Sequence, residues 1–304
     1  MSGFLIGVLE QGFIFAIVSL GVYITYKILD FPDMTVDGTF PMGAAITGLC
    51  LSNGINPFIA GVISIIGGMI AGTMTGILHV KFKISNLLSG ILMMIALYSI
   101  NLRIMGKSNI PFFGFDTVFS ITSVVHPVII IGILAIGVKL LLDVFLKTKL
   151  GFVLSAVGDN EQLVTSLGLN KDIIKVVGLS ISNGIAALGG SIMAQHQGYA
   201  DIGMGTGTVV VGLAAVILGG SILGKIRLIK ATTMALIGAI LYKLAVAGAL
   251  KYGLQPQDLK LVTALIVIFV LAANNFKFGS KLYKKDRKGD EPIASAAKSV
   301  QGIQ

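Results

Sequence analysis

Three aspartates, Asp30, Asp33 and Asp37, follow the first long apolar stretch of this chain and stand among Pro32, Gly38 and Thr39. Carboxylates this close to hydrocarbon cost roughly 2.5–3.5 kcal/mol each at mid-bilayer, and they often mark a pathway for polar solutes. Pro32 and Gly38 rule out an ordinary continuous helix through them. Broken backbone at membrane depth survives only against protein or a water-filled cavity. Asp33, Asp37 and Thr39 are therefore the candidate pathway residues, their carboxylates able to offset an ammonium group. The competing reading is a surface loop with aspartate caps and turns.

A second polar stretch, 149–171, interrupts the apolar chain. It offers Asp159 or Asn160 as N-cap of a short helix that Gly168 ends in the left-handed conformation. A short capped helix between two long apolar runs suits docking of a partner. Asp159, Asn160, Glu161, Leu163 and Gly168 are its candidate contact residues. Otherwise the stretch is a solvated loop.

Other chemistries find no support. The run 219–225 (GGSILGK) fits the first seven positions of a phosphate-binding loop, but Ile226 stands where Ser or Thr must hold magnesium. It also closes an apolar helix rather than a strand. The single Cys50 excludes an internal disulfide and a thiolate metal cluster, and His79, His126 and His196 show no ligand spacing. No nucleophile–base pair, paired carboxylates or zinc-protease motif is present. The chain reads as neither an enzyme nor a cofactor binder.

These residues must be positioned by membrane helices. The sequence is 55% hydrophobic and only 12% charged, against about 25% charged in soluble domains. Apolar runs near 5–27, 38–52, 57–80, 84–105, 126–146, 173–195, 207–224, 231–250 and 259–275 predict an all-α polytopic membrane protein. It has about nine transmembrane helices (range 8–10) and a short cytoplasmic coupling helix. The second run is short, and Glu10 lies in the first. That first run lacks the basic start and small-residue cleavage site of a signal peptide. Residues 1–276 form the expected membrane domain and 277–304 a basic tail, disordered beyond 289.

Lysine and arginine orient the bundle. Lys81, Lys83, Lys147, Lys149, Lys171, Lys175, Lys225, Arg227 and Lys230 fall on one side, as do Lys277, Lys281, Lys284, Lys285, Arg287 and Lys288. That side, with the C-terminus, is the expected cytoplasmic one, and nine spans place the N-terminus outside. The net charge of +9 is thus a topology signal rather than a nucleic-acid footprint. Gly68, Gly72 and Gly76, and Gly219, Gly220 and Gly224, predict close helix packing. Lys139 and Asp143 are spaced to pair, whereas Glu10 and Lys243 lack evident partners. Residues 38–105 and 207–275 share a weak likeness, the kind of paired repeat transporters use.

Residues 151–161 (GFVLSAVGDNE) and 166–170 (SLGLN) resemble the coupling segment of ABC importer permeases, in the family serving branched-chain amino acids, ribose and related solutes. The runs 184–190 (GIAALGG), 205–220 (ending GLAAVILGG) and 259–265 (LKLVTAL) are similar to that family's helices. The run 31–44 (FPDMTVDGTFPMGA) departs from the branched-chain pattern and looks more like single-permease systems for tryptophan or tyrosine. The resemblance covers residues 10–275. It implies a multi-pass bacterial inner-membrane subunit of an ATP-driven importer for a small solute, favouring an aromatic amino acid. It also implies a cytoplasmic ATPase dimer, an extracytoplasmic binding protein and a second permease copy. The alternatives are an ATPase-independent carrier or channel, which leaves the capped helix unexplained, and a membrane scaffold subunit.

Overall fold

Small caps decide where the apolar runs start and stop. Asn56 accepts a hydrogen bond from the Phe58 N–H just before Pro57, and Asn170 accepts from the Asp172 and Ile173 N–H groups. Gly106 and Gly198 end their helices with φ of 68° and 79°, a conformation that costs glycine nothing. The computed structural model describes residues 2–251 except 225, 227 and 228, and beyond them only 258, 261, 263–269 and 272.

The first helix, α1 (Ser2–Tyr23), passes into a π-helical turn (Ile24–Ile28) and breaks. A linker at 29–35 leads to α2 (Val36–Ser52), α3 (Pro57–Val80) and α4 (Asn86–Met105). Next come a short α5 (Val118–Ile121), α6 (Pro127–Leu146), α7 (Lys149–Asp159), α8 (Glu161–Ser166) and the long α9 (Lys171–Gln197). A 3₁₀ turn (Ile202–Gly205), α10 (Thr208–Leu223) and α11 (Ala231–Lys251) complete the described part. Strand β1 (Asn109–Pro111) pairs antiparallel with β2 (Tyr199–Asp201), tying the α4–α5 connection to the exit of α9.

Seven helical stretches among the described residues are long and apolar enough to cross a membrane. The expected second span is α2, only 17 residues long and mostly buried; it is wrapped by α3, α4 and α9 rather than by lipid. The expected ninth span, 259–275, and the 277–304 tail lie largely outside the described residues. The expectation for 149–171 also changes in part: α7 precedes the short helix, packing Leu154 and Val157 into the core. The fold is an all-α polytopic membrane protein.

The bundle is inverted relative to a soluble protein. Large apolar side chains such as Phe58, Ile66 and Ile70 of α3, and Ile133 and Leu141 of α6, face outward. Inside, glycines, serines and threonines line the closest helix contacts, beside buried apolar residues such as Ile17, Leu20, Phe40 and Leu179. Lipid tails are as apolar as leucine, so the helices associate by close contact instead of by hydrophobic expulsion. Gly68, Gly72 and Gly76 supply that contact on α3. A Cβ at the first two would run into the Asn183 and Leu179 carbonyl oxygens of α9, and at the third would come within 2.9 Å of the Val176 Cα. Lys139 and Asp143 pair at 2.8 Å, and Lys230 and Thr232 also bond to Asp143, clamping α11 to α6. Glu10, unpaired by sequence reasoning, meets His196 of α9 at 2.9 Å.

Candidate functional site

Two of the helices begin inside the bundle, not at its surface. The linker after the π turn folds back inward, with Asp30 at φ +51°, a left-handed value that aspartate tolerates better than most residues. The chain then reaches the level of Asn183, twelve residues and so about 18 Å into α9. There Asp33 caps the entry to α2: one carboxylate oxygen accepts the Thr35 N–H at 2.9 Å and the other accepts Asn183 Nδ2 at 2.7 Å. Asn183 Oδ1 in turn accepts the Thr39 hydroxyl at 2.9 Å, and Thr35 and Thr75 share a hydroxyl bond of 2.8 Å. Asp33, Thr35, Thr39, Thr75 and Asn183 are all buried. The sequence contained a clue to Asn183: an amide in the middle of a small-residue span must find a partner.

Asp37, one turn further along, meets the second inward-starting helix. Its carboxylate accepts the Gly207 N–H at 3.0 Å and the Val209 N–H at 2.7 Å. Gly207, at φ +82°, has no side chain with which to cap α10, so Asp37 caps it from another helix. Two positive helix ends thus converge on one carboxylate. Beside this junction is a cavity of about 460 Å³ between α2, α4 and the 3₁₀ turn. Asp37, Tyr98, Ser99, Asn101 and Thr206 give it polar walls, and Met34, Met94 and Ile95 give it apolar ones. Asn101 donates to the Gly38 carbonyl at 3.0 Å, while its buried Oδ1 has no partner among the described residues. Of the three candidate pathway residues, Asp37 therefore borders open space, whereas Asp33 and Thr39 belong to the buried network behind it. Tyr98, Ser99 and Asn101 on α4, and Thr206 before α10, are polar wall residues that sequence reasoning missed.

At the end bearing the basic loops, Asn160 caps α8 by accepting the Gln162 and Leu163 N–H groups at 3.0 and 3.1 Å. Asp159 is the last residue of α7, and Gly168 takes φ +75° after α8. Glu161 grips Lys171 at 2.7 Å and Lys175 at 2.5 Å, fixing α8 to the start of α9. Lys171 first, then Lys175, hold its carboxyl down at about 2. Leu163 and Leu167 project outward, 52% and 66% exposed, with Leu169 and Ile173 also exposed nearby in sequence. On the inner side Gly158 presses so closely on the Ile28 carbonyl that any side chain there would collide with it. The α7–α8 unit therefore touches the backbone that leads to Asp33 and Asp37.

Residues 4–272 match the family described as branched-chain amino acid transport system, permease component. The chain belongs to that family. The permease is 50% identical to a tyrosine transport system permease protein of Clostridioides difficile (strain R20291), covering 92% of this chain and 94% of that one. It is 37% identical to an uncharacterized protein, RP368, of Rickettsia prowazekii (strain Madrid E), covering 88% and 97%. It is 25% identical to the ribose import permease protein RbsC of Escherichia coli (strain K12), covering 90% and 86%. No solved structure matches. The permease is the membrane component of an ABC-type transport system.

Proposed function

We propose that the permease imports an aromatic amino acid, acting as two copies with a cytoplasmic ATPase pair and an extracytoplasmic binding protein. The 50% identity to a tyrosine permease over nearly the whole of both chains supports the substrate class. The observation that carries the mechanism is the capped α8, fixed by Glu161 and presenting Leu163 and Leu167 to the outside. Exposed leucines on a membrane-end surface suit a groove on another protein. Asp159, Asn160, Glu161, Leu163 and Gly168 build or display that surface.

Closure of the ATPase pair displaces α8 and, through α7, Gly158 against Ile28. The linker at 29–35 carries the displacement to the junction of α2 and α10, where Asp37 and the cavity beside it form part of the solute path. Asp33 and Thr39 hold Asp37's helix in register from behind. Asp37 already receives backbone N–H groups from α10, so its charge is largely spoken for. Its role is then to shape the path more than to grip an ammonium group.

Capture of the tagged chain from its native membranes in mild detergent tests this reading. We expect about one ATPase per permease, a co-purifying binding protein, and loss of the ATPase when Leu163→Pro breaks α8. Recovery of the chain alone, under conditions that preserve other ABC complexes, excludes the assembly and favours a carrier.

A further inference from the structure

One charged group inside the bundle is used by none of this. Lys243 lies midway along α11, about 18 Å from the start of that helix. Its ammonium stands 3.7 Å from the centre of the Phe15 ring. Among the described residues it has no ion pair or hydrogen bond: the carboxylates of the bundle interior are all taken by other groups, Glu10 by His196, Asp143 by Lys139 and Lys230, and Asp33 and Asp37 as described above. An aromatic face replaces only part of the hydration that an ammonium loses. Ionisable residues kept at such depth usually serve a path or a ligand.

The surroundings of Lys243 are built accordingly. A crevice of about 500 Å³ opens between α1, α10 and α11, with Lys243, Gln11, His196, Tyr242 and Thr263 on its walls. That volume lies within the range of small-molecule sites. The crevice extends past Gly3 and Gly7 toward the first turns of α1, where an added Cβ would meet nothing within 4 Å. This is the end of the bundle opposite the basic loops. Phe4, Val8 and Val246 provide apolar wall beside the cation. The neighbouring acid, Glu10, is turned to His196 and does not line the crevice. The site therefore offers one uncompensated cation and an amide donor in a half-apolar slot open at one end.

We propose that this crevice binds the carboxylate of an organic acid, namely the α-carboxylate of the solute, with Lys243 as its ligand. The inference rests on the amino-acid reading given above, and it adds a recognition point at the end of the bundle where solute would arrive. A lipid phosphate has related chemistry and is the other possible source of the anion.

The test uses the full chain in phosphatidylcholine nanodiscs and measures equilibrium binding of three probes: L-tyrosine, 4-hydroxyphenylpropionate, which keeps the carboxylate without the amine, and tyramine, which keeps the amine without the carboxylate. We expect the two carboxylates to bind and tyramine to bind at least tenfold more weakly. Lys243→Met should weaken carboxylate binding at least tenfold, and Lys243→Arg should retain most of it. Because Lys243→Met removes an unpaired buried charge, it should also unfold at a temperature no lower than wild type, which separates lost binding from lost fold. Equal binding of tyramine, unchanged binding by Lys243→Met, or no carboxylate binding by folded wild type overturns the proposal. So does mass-spectrometric detection of phosphatidylglycerol carried over from the cell membrane by wild type and lost in Lys243→Met, if no carboxylate competes for it. Failure to capture the ATPase would count against the coupling mechanism while leaving this binding result intact.

Discussion

Replacing Gly158 with alanine should disconnect the ATPase-facing surface from the solute path without dismantling either. An added Cβ at 158 would overlap the Ile28 carbonyl oxygen, lie 2.8 Å from the Ile28 carbonyl carbon and 3.1 Å from the Leu29 Cα. Ordinary carbon–carbon contact is about 3.5–4.0 Å, so α7 must retreat by roughly 1 Å or the π turn must bend. Both obstacles are backbone and neither can rotate away. Overpacking costs about 1–3 kcal/mol, and about 2–3 kcal/mol where backbone is the obstacle, less the roughly 1 kcal/mol that alanine gains over glycine in a helix. The remaining 1–2 kcal/mol shifts the seated and displaced positions of α7 by about 5–30-fold. Uptake by the assembled transporter should fall by that order, while ATPase capture and basal ATP hydrolysis persist. Gly137→Ala, where a Cβ meets nothing within 4 Å, is the control and should transport normally. If Gly158→Ala and Gly137→Ala both transport within twofold of wild type, the Gly158–Ile28 contact does not carry the coupling.

Asp143→Asn should lower stability by about 1–3 kcal/mol, since it leaves the largely buried cation of Lys139 without its acid while the half-exposed Lys230 can turn to solvent; thermal unfolding in detergent indistinguishable from wild type would contradict this. Asp37→Ala should cost about 1–2 kcal/mol through loss of the α10 cap, whereas Asp37→Asn keeps one of the two acceptor oxygens, should cost less than Ala, and should retain transport. Abolished transport in a stable Asp37→Asn protein would show that the charge itself is needed. Glu161 titrates at about 2 in the folded protein, below its ordinary 4.5, so its stabilising contribution is complete above pH 4.5 and fades as the pH falls toward 2. Its pairs are substantially exposed, so that contribution stays below about 1 kcal/mol. ATPase capture should be flat from pH 6 to 8 and lost in Glu161→Lys, which repels Lys171 and Lys175; capture that titrates near pH 4.5 would show that the pairs do not form.

Hydrophobic length placed most of the spans correctly, because a bilayer imposes nearly the same requirement on each crossing. The ends of α8 were legible as well: Asn160, one of two candidate caps, and Gly168 act on neighbours a few residues away, which short-range spacing encodes. Pro32 announced the break before α2, whereas Gly38, also read as a breaker, lies within that helix. What was hidden depends on contacts distant in sequence. Nothing near Asp37 shows that it caps a helix 170 residues later, and nothing near Glu10 points to His196. Helix α7 escaped notice because glycine disfavours a helix interior; Gly151 and Gly158 are there because another backbone passes where a side chain would be. Asn101 gave no signal at all, since a lone amide near the end of an apolar span looks the same whether it seals a helix or borders a cavity.

The glycine face of α3 against α9 has a further consequence. Sliding between two helices requires compressible side chains that can change rotamer as the surfaces pass. Where carbonyl oxygens lie directly over glycine Cα atoms, as at Gly68 and Gly72, and again at Gly43 and Gly190 along α2, no such cushion exists. Helices α2, α3 and α9 must therefore travel as one stiff block. The compliance of the permease is confined to its joints: the π turn, Asp30 and the short links around α7 and α8. Softening the block should waste the stroke, while stiffening a joint should stall it.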